Sequence, residues 1–289
     1  MINEKIKIAR LSIFSNLFLI IIKLIIGIIT GSVSLMSEAI HSGIDLLASL
    51  IAYFSVRISS KPPDEDHPYG HGKYENISGV LEALLIFIAA IWIIYEAVKR
   101  FITKGEIVLI EYGIVVMIIS MIVNYFVSKK LYTAAKKHDS IALEADALHL
   151  KTDIYTSAGV ALGFFLIYIT GYSWLDPFIA VLVAMLIIYE AFQLLSTAFS
   201  PLVDSQLPKE DMDKIKEIID NYLKEKKDLE YLRLRSRKSG PQKYLDFTLK
   251  VDENVTVKKA HSCCDELEAK INKVFPNIDI NIHIEPKDK

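Results

Sequence analysis

The chain has 289 residues, of which 52% are hydrophobic, a proportion above the range of ordinary soluble proteins. About half of its 33 Lys and Arg and 35 Asp and Glu residues fall after residue 204, and those before it cluster between long apolar runs. This asymmetry predicts a membrane domain over residues 1–204 followed by a water-exposed domain over 205–289. The net charge of −2 gives no reason to expect nucleic-acid binding.

Six segments of the first domain reach the length of about 20 residues that a helix needs to cross a bilayer. They are approximately 8–29, 33–57, 77–98, 107–128, 145–169 and 174–197. The basic N-terminus is followed by no small-residue cleavage site, so the first segment is interpreted as a retained helix rather than a signal peptide. We therefore predict a multi-pass protein of the cell membrane.

The orientation of these spans follows from the basic residues at their ends. The predicted cytoplasmic side carries Lys5, Lys7, Arg10, Arg57, Lys61, Lys73, Lys129, Lys130, Lys136 and Lys137. The opposite side carries Lys99, Arg100 and Lys104. Because basic residues are enriched in cytoplasmic loops, both termini are predicted to lie in the cytoplasm.

The tail changes from apolar runs to amphipathic patterns. Helical periodicity covers 208–227 and 256–275, whereas 230–238, 242–251 and 278–285 alternate as strands do. The order α-β-β-α-β predicts a small α+β domain with helices on one face of a three-stranded sheet. The only two cysteines, Cys263 and Cys264, are adjacent, so no disulfide framework is expected.

Two pairs of ionisable residues lie inside predicted spans. His41 and Asp45 are four residues apart in EAIHSGIDLL, and His149 and Asp153 have the same spacing in DALHLKTD. Residues at i and i+4 share a helix face, so each pair can reach one ligand or can bond to a neighbouring helix. An ionisable group at mid-bilayer costs at least about 2.5–3.5 kcal/mol and usually marks a pathway or a buried pair. Two imidazoles and two carboxylates suit Zn²⁺, and also Cd²⁺, Co²⁺, Fe²⁺ or Mn²⁺.

A third cluster lies in the loop between the second and third spans, which reads KPPDEDHPYGHGKY. Asp64, His67 and His71 lie inside this Pro- and Gly-rich stretch and together span eight residues. A solvated polar loop is the alternative, but the density of ligand types favours a second, weaker metal site.

The tail holds a fourth candidate cluster. His283 and Glu285 are two apart in a predicted strand and share a face, and His261 lies in the last predicted helix beside the two cysteines. Either thiol could bind a soft metal, although buried cysteines on a helix are more often structural. His138 has no partner pattern and is expected at the surface.

In combination, SEAIHSGIDLLAS, DEDHPYGHGKYE, ALEADALHLKTDIYTS and INIHIEP, arranged around six spans and an α+β tail, resemble the cation diffusion facilitator family of metal transporters. The resemblance covers nearly the whole chain. It implies a homodimer in which each protomer has a transport site in the membrane and the cytoplasmic domains, of metallochaperone-like fold, pair.

The resemblance also implies which residues bind metal. Its transport-site positions are His41, Asp45, His149 and Asp153, and His at both leading positions resembles the zinc-preferring branch. Its loop site is Asp64, His67 and His71. Its cytoplasmic site includes His261, His283 and Glu285. Two further positions, histidines in the two-metal version of that site, are Leu232 and Thr248 here, so one metal or a site completed by a cysteine is expected.

These observations lead to a hypothesis of secondary active transport. Metal and protons compete for the same ligands, so a cytoplasmic Zn²⁺ can be exchanged for protons. A membrane metal sensor and a passive divalent-cation channel are the alternatives. An intramembrane metalloenzyme is not expected, because no H-E-x-x-H motif occurs and four protein ligands leave no open position for water.

Overall fold

The computed structural model describes residues 2–30, 33–103, 111–170, 174–226 and 228–287. The chain divides into two compact units, Met1–Phe199 and Ser200–Lys289.

The described residues of the first unit form six long helices. They are α1 Ile2–Thr30, α2 Val33–Ser59, α3 Lys73–Thr103, α4 Glu111–His138, α5 Ile141–Thr170 and α6 Leu175–Phe199. Several helices extend past the predicted spans, as α3 does at its start and α4 at its end. Hydropathy marks only the apolar part of a helix, so polar turns that continue it are missed. The first residues of the predicted fourth span, 107–110, lie outside the described residues.

Three segments of the described chain are long and apolar enough to cross a membrane: Glu4–Ile26, Lys73–Lys99 and Pro177–Val203. Two of the other predicted spans, α2 and α5, contain Asp45, Asp146, Lys151 and Asp153. These ionisable residues lower the hydropathy of both helices. The two helices that carry the candidate ligands are therefore outside the set of three, as is α4.

Small side chains allow α3 and α6 to pack closely. Ala83, Ile86 and Ala90 of α3 share a buried cluster with Ile187 and Ala191 of α6. At Gly79, one turn before Ala83, an added Cβ would lie 2.5 Å from Ile141 Cγ2 and 2.9 Å from Ala198 Cβ. Only glycine therefore fits at that contact without a shift of its neighbours.

One prediction about the first unit is wrong. His138 was expected at the surface, but its imidazole Nε2 lies 3.2 Å from Glu4 Oε2 and its side chain is only 4% exposed. The C-terminal end of α4 packs beside the first turn of α1 here. A contact between residues 134 positions apart leaves no local sequence pattern.

The second unit confirms the predicted α-β-β-α-β order. After a short 3-10 turn, Ser200–Val203, it contains α7 Lys209–Glu225, β1 Glu230–Ser239, β2 Gln242–Val251, α8 Val257–Val274 and β3 Ile278–Pro286. The sheet order is β1-β2-β3, with β1 and β2 antiparallel and β2 and β3 parallel. The α8 crossover supplies the connection that parallel strands need.

Both helices cover the same face of this sheet. Ile215 and Ile219 of α7, Leu267 and Ile271 of α8, and Leu249 of β2 belong to one buried cluster. Alternate residues of β2 and β3 therefore point to the helices, and the remaining ones lie on the opposite face. The β1 strand has an irregular register between Leu232 and Arg235, with Arg233 at φ 54°.

Candidate metal transport site

Helices α2 and α5 bring three of the four predicted transport-site residues together. His149 Nε2 lies 3.1 Å from Asp45 Oδ1. One ligand atom each of Asp45, His149 and Asp153 lies within 4.8 Å of the others. Asp45 and His149 are buried and Asp153 is half-buried. An imidazole nitrogen and two carboxylate oxygens at this separation are a partial set for a tetrahedral ion such as Zn²⁺.

The fourth predicted ligand, His41, belongs to α2, but its side chain lies outside the described part of the chain. It precedes Asp45 by four residues, and such residues share a helix face. Its role as a ligand stays a prediction.

A buried polar network links α1, α2 and α5 beside these ligands. The Asn16 side chain donates to the backbone carbonyl of Asp45 at 3.3 Å and to Ser49 Oγ at 2.7 Å. Ser49 in turn donates to Asp146 Oδ1 at 3.0 Å and lies 2.9 Å from the hydroxyl of Ser12. Satisfied buried networks of this kind hold their members in one arrangement. The network therefore fixes α1 and α5 against the turn of α2 that carries Asp45.

Sequence reasoning assigned no role to two buried carboxylates beside the site. Glu82 and Asp146 are both fully buried, and Glu82 is near enough to interact electrostatically with Asp146 and His149. Each carboxyl has one oxygen with no hydrogen-bond partner among the described residues, as does His149 at Nδ1. Asp146 precedes His149 by three residues, so helical spacing was the available signal. Buried acceptors with spare capacity favour a cation in this region.

The lysine between the α5 ligands has a different partner. Lys151 Nζ donates to both carboxylate oxygens of Glu190 on α6, at 3.0 and 3.3 Å. Its positive charge is therefore engaged with α6 rather than with the face that carries His149 and Asp153.

The structure also brings the loop residues together. Asp64 Oδ1 lies 3.3 Å from His67 Nδ1, and Asp64 Oδ2 lies 3.3 Å from His71 Nε2. Gly70, at φ 80°, allows the turn that returns the chain, and its N–H donates to the carbonyl of His67 at 2.9 Å. The backbone N–H of His67 donates to Asp64 and holds the pKa of that carboxyl below its ordinary value. Ligand atoms of the three side chains lie within 4.8 Å of one another.

The cytoplasmic cluster has a looser arrangement. His283 Nε2 lies 3.5 Å from Glu285 Oε1, and the exposed His261 pairs instead with Asp265 at 3.6 Å. Over the described residues, His261, His283 and Glu285 do not form a three-ligand group within 4.8 Å. The assignment of this site stays a prediction.

The sheet register explains why the two non-ligand positions matter. Leu232 of β1 pairs with Thr248 of β2, and Thr248 pairs with His283 of β3. The three residues thus form one row across the sheet, on the face away from the helices. The neighbours of His283 in this row are therefore a threonine and a leucine, neither of which offers an imidazole.

Two family models together match nearly all of the chain. The cation efflux transmembrane domain matches residues 9–203, and the cytoplasmic domain of cation efflux proteins matches residues 207–287. The chain belongs to the cation efflux family, the cation diffusion facilitators. This cation diffusion facilitator is accordingly a membrane protein and a metal efflux transporter rather than an enzyme.

Curated relatives extend over the same length as this transporter. It is 34% identical over 278 residues to the uncharacterized transporter sll1263 of Synechocystis, covering 96% of this chain and 89% of that protein. It is 30% identical to the cation-efflux pump FieF of Shewanella oneidensis, covering 96% and 93%. It is also 30% identical to the manganese efflux system protein MneP of Bacillus subtilis, covering 97% and 95%.

Two solved structures match a smaller part of this transporter. One, of CzrB, is 34% identical, covers 28% of this chain and 99% of that chain, and has a TM-score of 0.27. Another, the metal-bound C-terminal domain of the CzcD transporter from Thermotoga maritima, is 24% identical, covers 28% and 94%, and has a TM-score of 0.25.

Proposed function

We propose that this transporter exports Zn²⁺ from the cytoplasm in exchange for protons, through a site formed by His41, Asp45, His149 and Asp153. The observation that carries the proposal is the grouping of Asp45, His149 and Asp153 ligand atoms within 4.8 Å across α2 and α5. Because the chain belongs to the cation efflux family, such a group inside its membrane domain supports a binding site for the transported cation. Cd²⁺, Co²⁺, Fe²⁺ and Mn²⁺ are further substrates that this ligand set accepts.

Proton exchange follows from the chemistry of the ligands. Imidazole must be neutral and carboxylate ionised to bind metal, so loading an ion releases protons and adding protons releases the ion. Histidine titrates near neutral pH, which makes this competition effective in the physiological range. A site that faces the cytoplasm and then the outside would return protons to the cell as it delivers metal.

The preference for zinc rests on the two histidines. Nitrogen ligands favour Zn²⁺, whereas Mn²⁺ favours carboxylate and carbonyl oxygens. The relative MneP is described as a manganese efflux system protein. Manganese is therefore the second candidate for the physiological ion.

The remaining parts of the proposal concern assembly and auxiliary sites. The protein forms a homodimer through its cytoplasmic domain, residues 205–289, with both termini in the cytoplasm and residues 1–204 in the cell membrane. The loop residues Asp64, His67 and His71 form a second, weaker site. The cytoplasmic site of His261, His283 and Glu285 holds one metal or is completed by Cys263 or Cys264.

Reconstitution into liposomes tests the exchange directly. Purified protein is incorporated into vesicles that contain a Zn²⁺-sensitive dye and a pH dye, and an acidic interior is imposed. The proposal predicts zinc uptake that increases with the gradient, together with alkalinisation of the interior. Zinc flux without proton movement would indicate a channel, and absence of flux from a protein that binds zinc would indicate a sensor.

A further inference from the structure

Helix α1 contains a lysine inside its membrane-spanning segment. Lys23 lies within Glu4–Ile26, which is long and apolar enough to cross a membrane, and the residue is only 8% exposed. Its ammonium donates to Ser42 Oγ of α2 at 2.7 Å. A charged residue that faces the bundle interior at this depth is costly and generally serves a function.

The position of Lys23 relative to the candidate ligands follows from helix geometry. Asn16 and Lys23 are seven residues apart, about two turns, so they share one face of α1. Asn16 contacts the carbonyl of Asp45, and Lys23 contacts Ser42. Ser42 and Asp45 are three apart on α2 and therefore lie on one face, with Cβ atoms about 5–6 Å apart. The ammonium thus enters the polar interior within about one helical turn of Asp45.

Lys23 also lies on a defined side of the site. Along α1, Asn16 is nearer the N-terminus and Lys23 is farther from it, and the contacts on α2 run in the opposite order. In the proposed orientation α1 begins in the cytoplasm. Lys23 is then on the outward side of Asp45, where a departing ion would pass.

We propose that Lys23 is a fixed cation that sets how firmly the transport site holds a divalent ion. The inference rests on the proposed function and adds to it a residue that sets the affinity of the site. In a buried site the ammonium stabilises the carboxylates of Asp45 and Asp153 when no metal is bound, and it repels a bound divalent ion. It thereby weakens retention and favours release on the outward side.

The magnitude follows from the charges involved. The repulsion between a single and a double positive charge is twice that between two single charges, and it is weakly screened inside the bundle. Removing the ammonium should tighten Zn²⁺ binding at this site by about tenfold or more.

Equilibrium binding of Zn²⁺ to the full-length protein in detergent tests this inference. Lys23→Met removes the charge, Lys23→Arg keeps it, and Lys99→Met is the matched control, because Lys99 is exposed and pairs with Glu96 on α3. Zinc is titrated against a competing chelator dye, and the Asp153→Ala variant identifies the part of the binding that belongs to the transport site. We expect at least tenfold tighter binding in Lys23→Met and wild-type affinity, within about twofold, in the other two variants.

The direction of the change separates electrostatic from structural effects. A disturbed site binds zinc more weakly, so weaker or unchanged affinity in a Lys23→Met protein that elutes as a folded species overturns the proposal. Lys23→Gln carries the same test if the Met variant does not fold. Vesicle uptake by the wild type is measured separately: its absence counts against zinc export, whereas the binding comparison alone decides the role of Lys23.

Discussion

At the residue scale, the ligand type at position 41 is expected to decide the ion preference. In the proposed transport site, replacing His41 by Asp exchanges a nitrogen donor for an oxygen donor. Oxygen-rich sites favour Mn²⁺ over Zn²⁺, so His41→Asp should lower the ratio of Zn²⁺ to Mn²⁺ transport. Uptake of the two ions into liposomes measures this ratio. An unchanged ratio in a variant that still transports would contradict the assignment of His41.

The Cys264 thiol should react slowly in the folded protein. Burial raises the pKa of the Cys264 thiol from its ordinary 9.0 to about 11, with nearby carboxylates such as Glu268 contributing. The folded state therefore favours the neutral thiol. The stability that this provides is present below about pH 9 and is lost as the pH rises towards about 11.

Alkylation measures the protection of the Cys264 thiol, since only the thiolate reacts. In the folded protein, Cys264 should react slowly at about pH 8 and faster as the pH approaches the raised pKa, whereas the denatured chain should show ordinary thiol behaviour. Peptide mass spectrometry after timed iodoacetamide treatment gives the alkylation rate of Cys264 in the folded and in the denatured protein. The Cys264→Ser variant identifies the signal that belongs to Cys263. Equal rates for Cys264 in folded and denatured protein at that pH would show that the thiol is not protected.

The residue patterns predicted some contacts of the site and not others. The four-residue spacing of His149 and Asp153 places both on one face of α5, which the sequence shows directly. The Asp45–His149 contact joins residues 104 positions apart, so their pairing was inferred from matching motifs rather than from spacing. Asn16 and Ser49 escaped notice because small polar residues in apolar helices are common, whereas Asp146 had a signal in its three-residue spacing from His149.

At the element scale, Glu75 links several helices of the first unit. Its carboxylate accepts from Lys5 of α1 at 2.5 Å and from Ser59 of α2 at 2.6 Å, and it also accepts from Ser140, which directly precedes α5. Glu75 is fully buried and Lys5 is 7% exposed. Glu75→Ala leaves a buried ammonium without its counter-ion, which should lower the free energy of unfolding by about 3–5 kcal/mol.

A matched control for this prediction is available on α3. Glu96 forms an ion pair with Lys99 at 3.8 Å, and both side chains are solvent-accessible. Glu96→Ala should change the free energy of unfolding by about 0–1 kcal/mol. Thermal unfolding of both variants in detergent tests the comparison, and similar midpoints for the two would show that Glu75 does not join the helices energetically.

The α3–α6 contact makes a second prediction at this scale. Gly79→Ala places a methyl against Ile141 and Ala198, and such overpacking costs about 1–3 kcal/mol. At Gly43 on α2, nothing among the described residues lies within 4 Å of an added Cβ. Gly43→Ala should therefore be neutral or stabilising by up to about 1 kcal/mol, because alanine favours the helix. A Gly79→Ala variant with the wild-type free energy of unfolding would show that α3 and α6 can move apart without loss of stability.

Element order was more predictable than element contacts. Alternation in β3 and the amphipathic faces of α7 and α8 are local patterns, and the structure confirms these elements with end points within about two residues. The parallel pairing of β2 with β3 and the irregular register at Leu232 depend on partners far along the chain. The sequence contains no local signal for either.

At the scale of the whole molecule, the sequence asymmetry and the family matches agree on a helical membrane unit followed by an α+β cytoplasmic unit. The homodimer is a further prediction at this scale. Chemical cross-linking in detergent followed by mass measurement should give a species of twice the chain mass. A mass corresponding to a single chain at all protein concentrations would contradict it.

The central claim is that Asp45, His149 and Asp153 hold the transported ion. Uptake of radioactive zinc into proteoliposomes tests it most directly when wild type, Asp153→Asn and the control Glu96→Gln are reconstituted at equal density. Asparagine keeps the shape of the side chain and removes its charge, so a structural collapse is not expected. The account predicts that Asp153→Asn falls to the rate of protein-free vesicles while Glu96→Gln transports as the wild type does. Uptake by Asp153→Asn at the wild-type rate would contradict it.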